Sequence, residues 1–159
     1  MIGTGLSHDT PSESGVKQPS EHSLVLALRD VPTLGALDGD TLLELVGASA
    51  NLYWRAESKL FSKGDDGDAL YVVLSGAVSV QDDGTEVRRI DPGDYLGERA
   101  LVLDESRSLD AVALEDSELM VVPKEAVSRL LDERPELAAA VRERLAEIDA
   151  RDASRGDAG

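Results

Sequence analysis

The sequence predicts an α+β domain: an antiparallel β-roll of jelly-roll topology with about eight strands, flanked by N-terminal helices and two C-terminal helices. Three observations lead to this fold. The apolar pattern is helical near both ends of the chain and strand-like in the middle. In the middle, glycines interrupt short runs of Val, Leu, Ile and Tyr about every 8 to 12 residues, as expected of short antiparallel strands. Two prolines stand where the C-terminal helices are expected to begin.

The N-terminal helices are predicted from their apolar residues and from the residues that bound them. Residues 24–28 are apolar, and Pro32 disfavours helix at Val31, so a first helix is expected to end there. A second helix is expected to begin with Asp38 as its N-cap and to continue through the apolar residues Leu42, Leu43, Leu45 and Val46.

Seven strands of the roll are predicted individually. They cover residues 52–56, 59–61, 70–74, 77–81, 86–90, 109–114 and 118–122. Asp82-Asp83-Gly84 is predicted to form the hairpin turn between the fourth and fifth of them.

The C-terminal helices are expected after Pro123 and from Pro135, since proline is tolerated in a first helical turn. The second helix carries one apolar stripe, formed by Leu137, Val141, Leu145 and Ile148. Two interpretations of the stripe are open: packing on the chain's own core, which we favour, or a seam between two copies. The chain is therefore expected to be a monomer or a weak homodimer.

One folded domain is expected at residues 21–151, between a flexible N-terminal arm at 1–20 and a flexible tail at 152–159. A chain of 159 residues suffices for a single core. Both terminal segments contain few apolar side chains, so burial there cannot offset the entropy lost on ordering.

Charge and composition exclude several classes of function. The chain has 32 acidic and 16 basic residues, a formal net charge of -16, which argues against a nucleic-acid surface. It has no cysteine, which excludes disulfides and thiolate catalysis. No apolar run approaches the roughly 18 residues of a membrane-spanning helix, and the N-terminus does not resemble a signal peptide. A cytoplasmic protein without membrane or nucleic-acid partners is expected.

One segment between two predicted strands carries the chemistry of an anion site. It reads Gly97-Glu98-Arg99-Ala100-Leu101 and is followed by Arg107-Ser108. Glycine lets the backbone approach a ligand, and N–H groups at the start of a short helix face an anion. A guanidinium can bind two phosphate oxygens, and the Glu98 carboxylate can accept a hydrogen bond from a ribose hydroxyl. The segment therefore predicts a sugar-phosphate site.

Two motifs carry a resemblance to a known family. Residues 92–98, the Ala100-Leu101 pair and Arg107 resemble the phosphate-binding cassette of cyclic nucleotide-binding domains, as in catabolite activator proteins and protein kinase A regulatory subunits. Upstream, residues 64–76 resemble the Gly-Asp and Tyr-Val-Val-Leu-Ser-Gly signature of the same family. The similarity covers roughly residues 24–150. It is specific because the two motifs agree in order and spacing.

The resemblance implies a role for each cassette residue. Arg107 and backbone N–H groups near Ala100 would hold the phosphate, Glu98 the ribose, and Gly97 the turn. Ser108 would contact the phosphate or the base; its hydroxyl is compatible with adenine and could also donate to guanine, and cAMP is expected as the ligand in preference to cGMP. No metal and no other cofactor is expected, and the domain is expected to be a sensor and not an enzyme.

The resemblance further implies that the helix after Pro135 moves toward the base when nucleotide binds, with an effector protein or a second copy reading the change. The candidates for contacting the base are Arg142, Arg144 and Leu145. Arg99 is either a second phosphate donor or, as we favour, an outward side chain.

The chain departs from the family pattern at four cassette positions, namely Arg99, Ser106, Leu109 and Asp110. Strand alternation places Asp110 opposite to Arg107, so we expect its carboxylate to face away from the site.

Two other classes of function are considered beside the sensor. The first is a degenerate fold that binds no nucleotide and serves as an interaction module. The second is a cupin-like metalloenzyme, which needs several histidine ligands, whereas the two histidines, His8 and His22, lie in or beside the N-terminal arm.

Overall fold

The computed structural model describes residues 21–31 and 33–158, and within them the predicted α+β architecture is present. The helices are α1 (Glu21–Leu28), α2 (Gly39–Gly47), α3 (Glu98–Leu103), α4 (Lys124–Glu133) and α5 (Pro135–Ala158), with a short 3-10 turn at Leu34–Ala36. The strands are β1 (Ala50–Trp54), β2 (Lys59–Phe61), β3 (Ala69–Ser75), β4 (Val78–Asp82), β5 (Thr85–Ile90), β6 (Tyr95–Leu96), β7 (Asp110–Ala113) and β8 (Ser117–Pro123).

The strands form two four-stranded antiparallel sheets, ordered β1-β8-β3-β6 and β2-β7-β4-β5. One apolar core lies between the sheets, and a second lies between the first sheet and the helices. Strand β3 contributes to both cores: Tyr71 and Val73 face the roll interior, whereas Leu70 and Val72 face the helices. Burial on both faces explains its nearly continuous apolar sequence.

The predicted hairpin between β4 and β5 is confirmed. Asp82 pairs with Thr85, which leaves Asp83 and Gly84 as a two-residue loop with φ of 51° and 85°. Positive φ at both positions is the requirement of a type I′ turn, whose twist matches that of the flanking strands.

The seven predicted strands are all present, with small changes at their ends. The largest change is in β1, which begins and ends two residues earlier than expected. Strand β6 was not predicted individually, because two residues cannot display an alternating pattern.

The helix boundaries follow the predicted signals at their N-termini. Asp38 caps α2 by accepting a hydrogen bond of 2.8 Å from the Thr41 N–H, and α5 begins at Pro135. The stripe on α5 packs within the chain, since all four of its residues are buried. The backbone of α5 is helical to Ala158, past the boundary at 151 expected from the sequence. The arm at 1–20 lies outside the described residues, and the flexibility of both termini stays a prediction.

No helix of the described part of the chain is long and apolar enough to cross a membrane.

Candidate functional site

A cleft opens between α3 and the inner face of the second sheet. It encloses about 410 Å³, counting space that is open to solvent. Its walls include six of the seven predicted ligand-binding residues: Gly97, Glu98, Arg99, Ala100, Arg107 and Ser108. The seventh, Leu101, instead belongs to the core under the helices. The sequence motif thus forms one continuous wall of a concave site.

The upstream motif is joined to this wall by the backbone of Arg107. The Arg107 N–H donates to the Asp65 carbonyl at 2.7 Å, and the Gly64 N–H donates to the Arg107 carbonyl at 2.8 Å. A Cβ atom on Gly67 would collide with the side chain of Ala100, so this loop packs directly on α3. The two motifs that resemble one family therefore meet in space.

Gly97 is required by both its backbone conformation and its surroundings. Its φ is 92°, and an added Cβ would lie 2.9 Å from Arg107 Nη1 and 3.2 Å from the Ala69 carbonyl oxygen. A side chain here would be strained and would displace the guanidinium. Glycine at this position thus keeps the arginine against the backbone.

The guanidinium of Arg107 is held in position by groups of the protein itself. Nη1 donates to the Gly97 carbonyl at 2.8 Å and Nη2 to the Ala69 carbonyl at 2.7 Å. The guanidinium carbon lies 4.2 Å from the ring centroid of Phe61, and Asp68 Oδ1 lies 4.0 Å from Nη2. Burial lowers the pKa of Arg107, which remains a cation because an arginine in a protein does not lose its charge.

One nitrogen atom of the Arg107 guanidinium makes no hydrogen bond to the described part of the chain. Its Nε is buried and has no hydrogen-bond partner among the described residues. A buried guanidinium with an unused N–H is suited to a hydrogen-bond acceptor of negative charge.

Glu98 is the second buried ionisable group of the cleft. It is 6% exposed, and its Oε2 atom has no hydrogen-bond partner within the described residues. Burial raises the pKa of Glu98, although its own backbone N–H and the positive charges of Arg144 and Arg88 act in the opposite direction. Burying a carboxylate without a hydrogen-bond partner costs free energy, so a donor such as a hydroxyl would stabilise this oxygen.

Arg99 lines the cleft, but its guanidinium is held by carboxylates. Nη1 lies 2.5 Å from Asp149 on α5, and Nε lies 3.7 Å from Glu105. The side chain is 37% exposed, which agrees with the outward orientation that we favoured. The pair connects the cassette helix to the C-terminal helix.

The three base-contact candidates on α5 do not line the cleft in this structure. Arg144 donates to Asp94 at 2.6 Å and lies 4.3 Å over the ring centroid of Tyr95. Leu145 is buried and Arg142 is exposed. A role in contacting the base would therefore need α5 to move.

The remaining sequence expectations near the site can be compared with their contacts. Asp110 accepts a hydrogen bond of 2.8 Å from the Lys63 N–H and lies 3.9 Å from the Lys59 amine, so it faces away from Arg107 as expected. Tyr71 and Trp54 pack edge to face in the roll core, which confirms them as core residues. Two other departures from the family pattern, at Ser106 and Leu109, line the cleft.

Arg88 is the charged residue of the cleft that the sequence analysis missed. It lies on β5 opposite Val80, and the next pair on the same face is Val78 with Ile90. Val78, Val80 and Ile90 are buried in the roll core, so alternation directs Arg88 inward. That alternation was present in the sequence and could have identified an inward arginine.

The described residues contain no group of three or more His, Cys, Asp or Glu side chains suited to a metal ion. His8 and the side chain of His22 lie outside the described part of the chain.

The family model of the cyclic nucleotide-binding domain matches residues 52–134. This segment contains both motifs and every described wall of the cleft. The chain belongs to the cyclic nucleotide-binding domain family. Domains of this family are regulatory, so the domain itself is not a catalyst.

Two curated proteins illustrate the relationship. A cGMP-dependent protein kinase of Toxoplasma gondii is 39% identical over 72 residues, which are 45% of this chain and 7% of the kinase. A cAMP-dependent protein kinase regulatory subunit of Aspergillus niger is 32% identical over 106 residues, which are 65% of this chain and 26% of that subunit. The chain thus matches only a small part of the length of these relatives.

One solved structure matches a larger share of this chain and of its own chain. The N-terminal domain of a transcriptional regulator from Streptomyces coelicolor A3(2) is 30% identical, with a TM-score of 0.62. The match covers 78% of this chain and 93% of that domain. The similarity therefore extends over nearly the whole of that domain.

Proposed function

We propose that this domain binds a cyclic nucleotide in the cleft and acts as a regulatory sensor. The observation that carries the proposal is the pair of unused polar atoms, Arg107 Nε and Glu98 Oε2, both buried in residues that line one cleft. One is a cationic donor and the other an acceptor. A ligand with an anionic phosphate and a free ribose hydroxyl satisfies both.

The roles follow from the positions of the groups. Arg107 binds the cyclic phosphate through the donors that the Gly97 and Ala69 carbonyls do not occupy, and the N–H groups at the start of α3 assist it. Glu98 accepts from the 2′-hydroxyl, the ribose hydroxyl that remains free in a 3′,5′-cyclic nucleotide. Ser108 stands beside the phosphate position and can donate or accept.

Helix α5 is the element proposed to respond. Two ion pairs attach it to the cassette region: Arg99 with Asp149, and Arg144 with Asp94. A phosphate bound at the start of α3 shifts this helix and so changes the geometry of the Arg99 pair. Because binding can shift only an equilibrium between states it distinguishes, α5 moves if these pairs differ between the free and bound forms.

The wider setting is proposed on the sequence alone. An effector protein or a second copy of the chain reads the position of α5, in a cytoplasmic location. The preference for cAMP over cGMP stays a prediction. Of the two curated relatives named above, one is called a cGMP-dependent protein kinase and the other a regulatory subunit of a cAMP-dependent protein kinase.

Calorimetric titration of the full chain with cAMP and with cGMP tests the proposal. At least one nucleotide should bind with a stoichiometry of one, and Arg107→Ala should abolish binding. Arg89→Ala, which removes an exposed arginine paired with Asp91, is the matched control and should bind as the wild type does. Absence of binding by the folded wild type favours the alternative, a degenerate domain that serves as an interaction module.

A further inference from the structure

Arg99 belongs to the wall of the cleft and lies close to the position proposed for the phosphate. It lines the cleft together with Arg107 and Ser108. It also follows Gly97 by two residues, and the Gly97 carbonyl accepts a hydrogen bond of 2.8 Å from Arg107 Nη1. The backbone of Arg99 is therefore at most about 7 Å from the residue that holds the Arg107 guanidinium. Because an arginine side chain is long and carries five N–H donors, an anion bound to Arg107 is within reach of Arg99.

The guanidinium of Arg99 is, however, bound to α5. Its Nη1 lies 2.5 Å from Asp149 Oδ2, across fifty positions of the chain, and its Nε lies 3.7 Å from Glu105. The two carboxylates differ in what they attach, since Glu105 follows α3 directly in the chain whereas Asp149 belongs to α5. The pair of Arg99 with Asp149 thus joins the cassette to the C-terminal helix.

This ion pair is of a kind that another anion can displace. The side chains of Arg99 and Asp149 are 37% and 51% exposed. Water screens an ion pair at such positions, so the pair contributes little free energy. A phosphate held by the buried Arg107 is screened less, and a guanidinium binds phosphate oxygens through the same parallel N–H groups that it uses for a carboxylate. Asp149 and the phosphate therefore compete for one side chain.

Accepting the proposed function, we propose that Asp149 is an intramolecular competitor of the nucleotide. When the phosphate binds, Arg99 leaves Asp149 and becomes a second donor to the phosphate, and α5 loses this attachment to the cassette. The effect is reciprocal by linkage, so weakening the ion pair strengthens nucleotide binding. The release is limited to the part of α5 around Asp149, because Arg144 still donates to Asp94.

A double-mutant cycle tests the competition. Its four members are the wild-type chain, Asp149→Asn, Arg99→Gln and the double variant, each checked by thermal unfolding. Each is titrated with cAMP and with cGMP in a calorimeter at low ionic strength, where exposed charges are screened least. Glu147→Gln is the matched control, because it removes the same charge from an exposed position on the same helix.

Asp149→Asn should bind nucleotide about twofold to fivefold more tightly than the wild type, the range that corresponds to an exposed ion pair. The same substitution should have almost no effect when Arg99 is already glutamine, and Glu147→Gln should bind as the wild type does. Hydrogen exchange gives a second measurement. Saturation with nucleotide should make exchange around Asp149 faster in the wild type, and Asp149→Asn should show fast exchange there even without nucleotide.

Three results overturn the proposal: no gain in affinity from Asp149→Asn, an equal gain when Arg99 is glutamine, or exchange around Asp149 that nucleotide leaves unchanged in the wild type. The second result would mean that Asp149 acts only through its charge and not through Arg99. If neither the wild type nor any variant binds nucleotide, the proposed function itself fails. If the wild type binds but the cycle shows no coupling, the proposed function stands and the competition alone is overturned.

Discussion

The guanidinium Nη1 of Arg107 lies 2.8 Å from the carbonyl oxygen of Gly97, the residue directly before the buried carboxylate of Glu98. This hydrogen bond connects Arg107 and Glu98, two of the ionisable groups of the cleft, through one peptide unit. The position of the cation therefore depends on a backbone conformation that glycine adopts with little strain.

Gly97→Ala should weaken both folding and nucleotide binding. Gly93→Ala is the matched control, because Gly93 has nearly the same φ, 91°, but open space around its Cβ position. The control should lower the free energy of unfolding by about 1–2 kcal/mol, the cost of a left-handed residue. Gly97→Ala should cost roughly 1 kcal/mol more, because its methyl group meets Arg107 and the Ala69 carbonyl.

Urea titrations of the two glycine variants, followed by nucleotide titrations, measure these effects. Only Gly97→Ala should lose affinity. Equal effects of the two substitutions on binding would show that crowding at Arg107 has no part in the site.

Arg107→Ala should destabilise the chain even without nucleotide. The substitution leaves the Gly97 and Ala69 carbonyls without their donor and removes the contact with Phe61. A buried group without a partner costs about 1–3 kcal/mol, so a loss of roughly 2–3 kcal/mol is expected in chemical denaturation. Arg89→Ala should change the free energy of unfolding by less than about 0.5 kcal/mol. A similarly small effect of Arg107→Ala would contradict the hydrogen bonds assigned to its guanidinium.

Glu98→Gln should alter the pH dependence of stability in a defined direction. Burial raises the pKa of Glu98 above its ordinary value of 4.5, so the folded state holds the proton more tightly than the unfolded state. For such a group, the free energy of unfolding falls as the pH rises from 4.5 through the folded pKa. Glutamine does not ionise, so the stability of the variant relative to the wild type should increase as the pH rises above 4.5.

Chemical denaturation of both proteins at a series of pH values above 4.5 measures the difference between their free energies of unfolding. The other carboxylates are common to both proteins, so their contributions cancel in this difference. A difference that stays constant or decreases with pH would contradict a buried, unpartnered carboxylate. Although Glu98→Gln should gain stability relative to the wild type at higher pH, it should bind nucleotide more weakly. The substitution loses a charge-assisted hydrogen bond to the ligand, which should weaken affinity about tenfold or more.

Arg144→Ala should loosen the attachment of α5 to the roll. The substitution removes the hydrogen bond to Asp94 and the cation–π contact with Tyr95, together worth about 1–2 kcal/mol at this partly buried position. Hydrogen exchange in α5 should become faster. Arg142→Ala, on the same helix but exposed, should leave exchange unchanged, and equal exchange in both variants would contradict an attachment through Arg144.

The elements of this fold were predictable where their pattern is local. The β4–β5 hairpin follows from Asp83-Gly84, the cap of α2 from Asp38, and the buried stripe of α5 from its three-to-four spacing. In the site, the wall formed by residues 97–100 is contiguous in sequence, so its composition could be recognised directly.

The contacts that complete the site depend on how distant elements cross. Arg99 meets Asp149 and Arg144 meets Asp94, each across fifty positions of the chain. No local spacing encodes such pairs, because they follow from the direction in which α5 leaves Pro135 and crosses the roll. The hydrogen bond from Arg107 to the Ala69 carbonyl could not be predicted either, because a backbone acceptor leaves no signature in the pattern of side chains.

The Nε–H group of Arg107 reports most directly on whether this cleft holds a cyclic nucleotide. Its signal in a nitrogen-15 NMR spectrum of the full chain, identified by its absence in Arg107→Lys, should move as cAMP or cGMP is added, because the phosphate becomes the acceptor that this donor lacks. Saturation should come at one nucleotide per chain. An Arg107 Nε–H signal that stays in place while nucleotide is present in large excess would contradict the account.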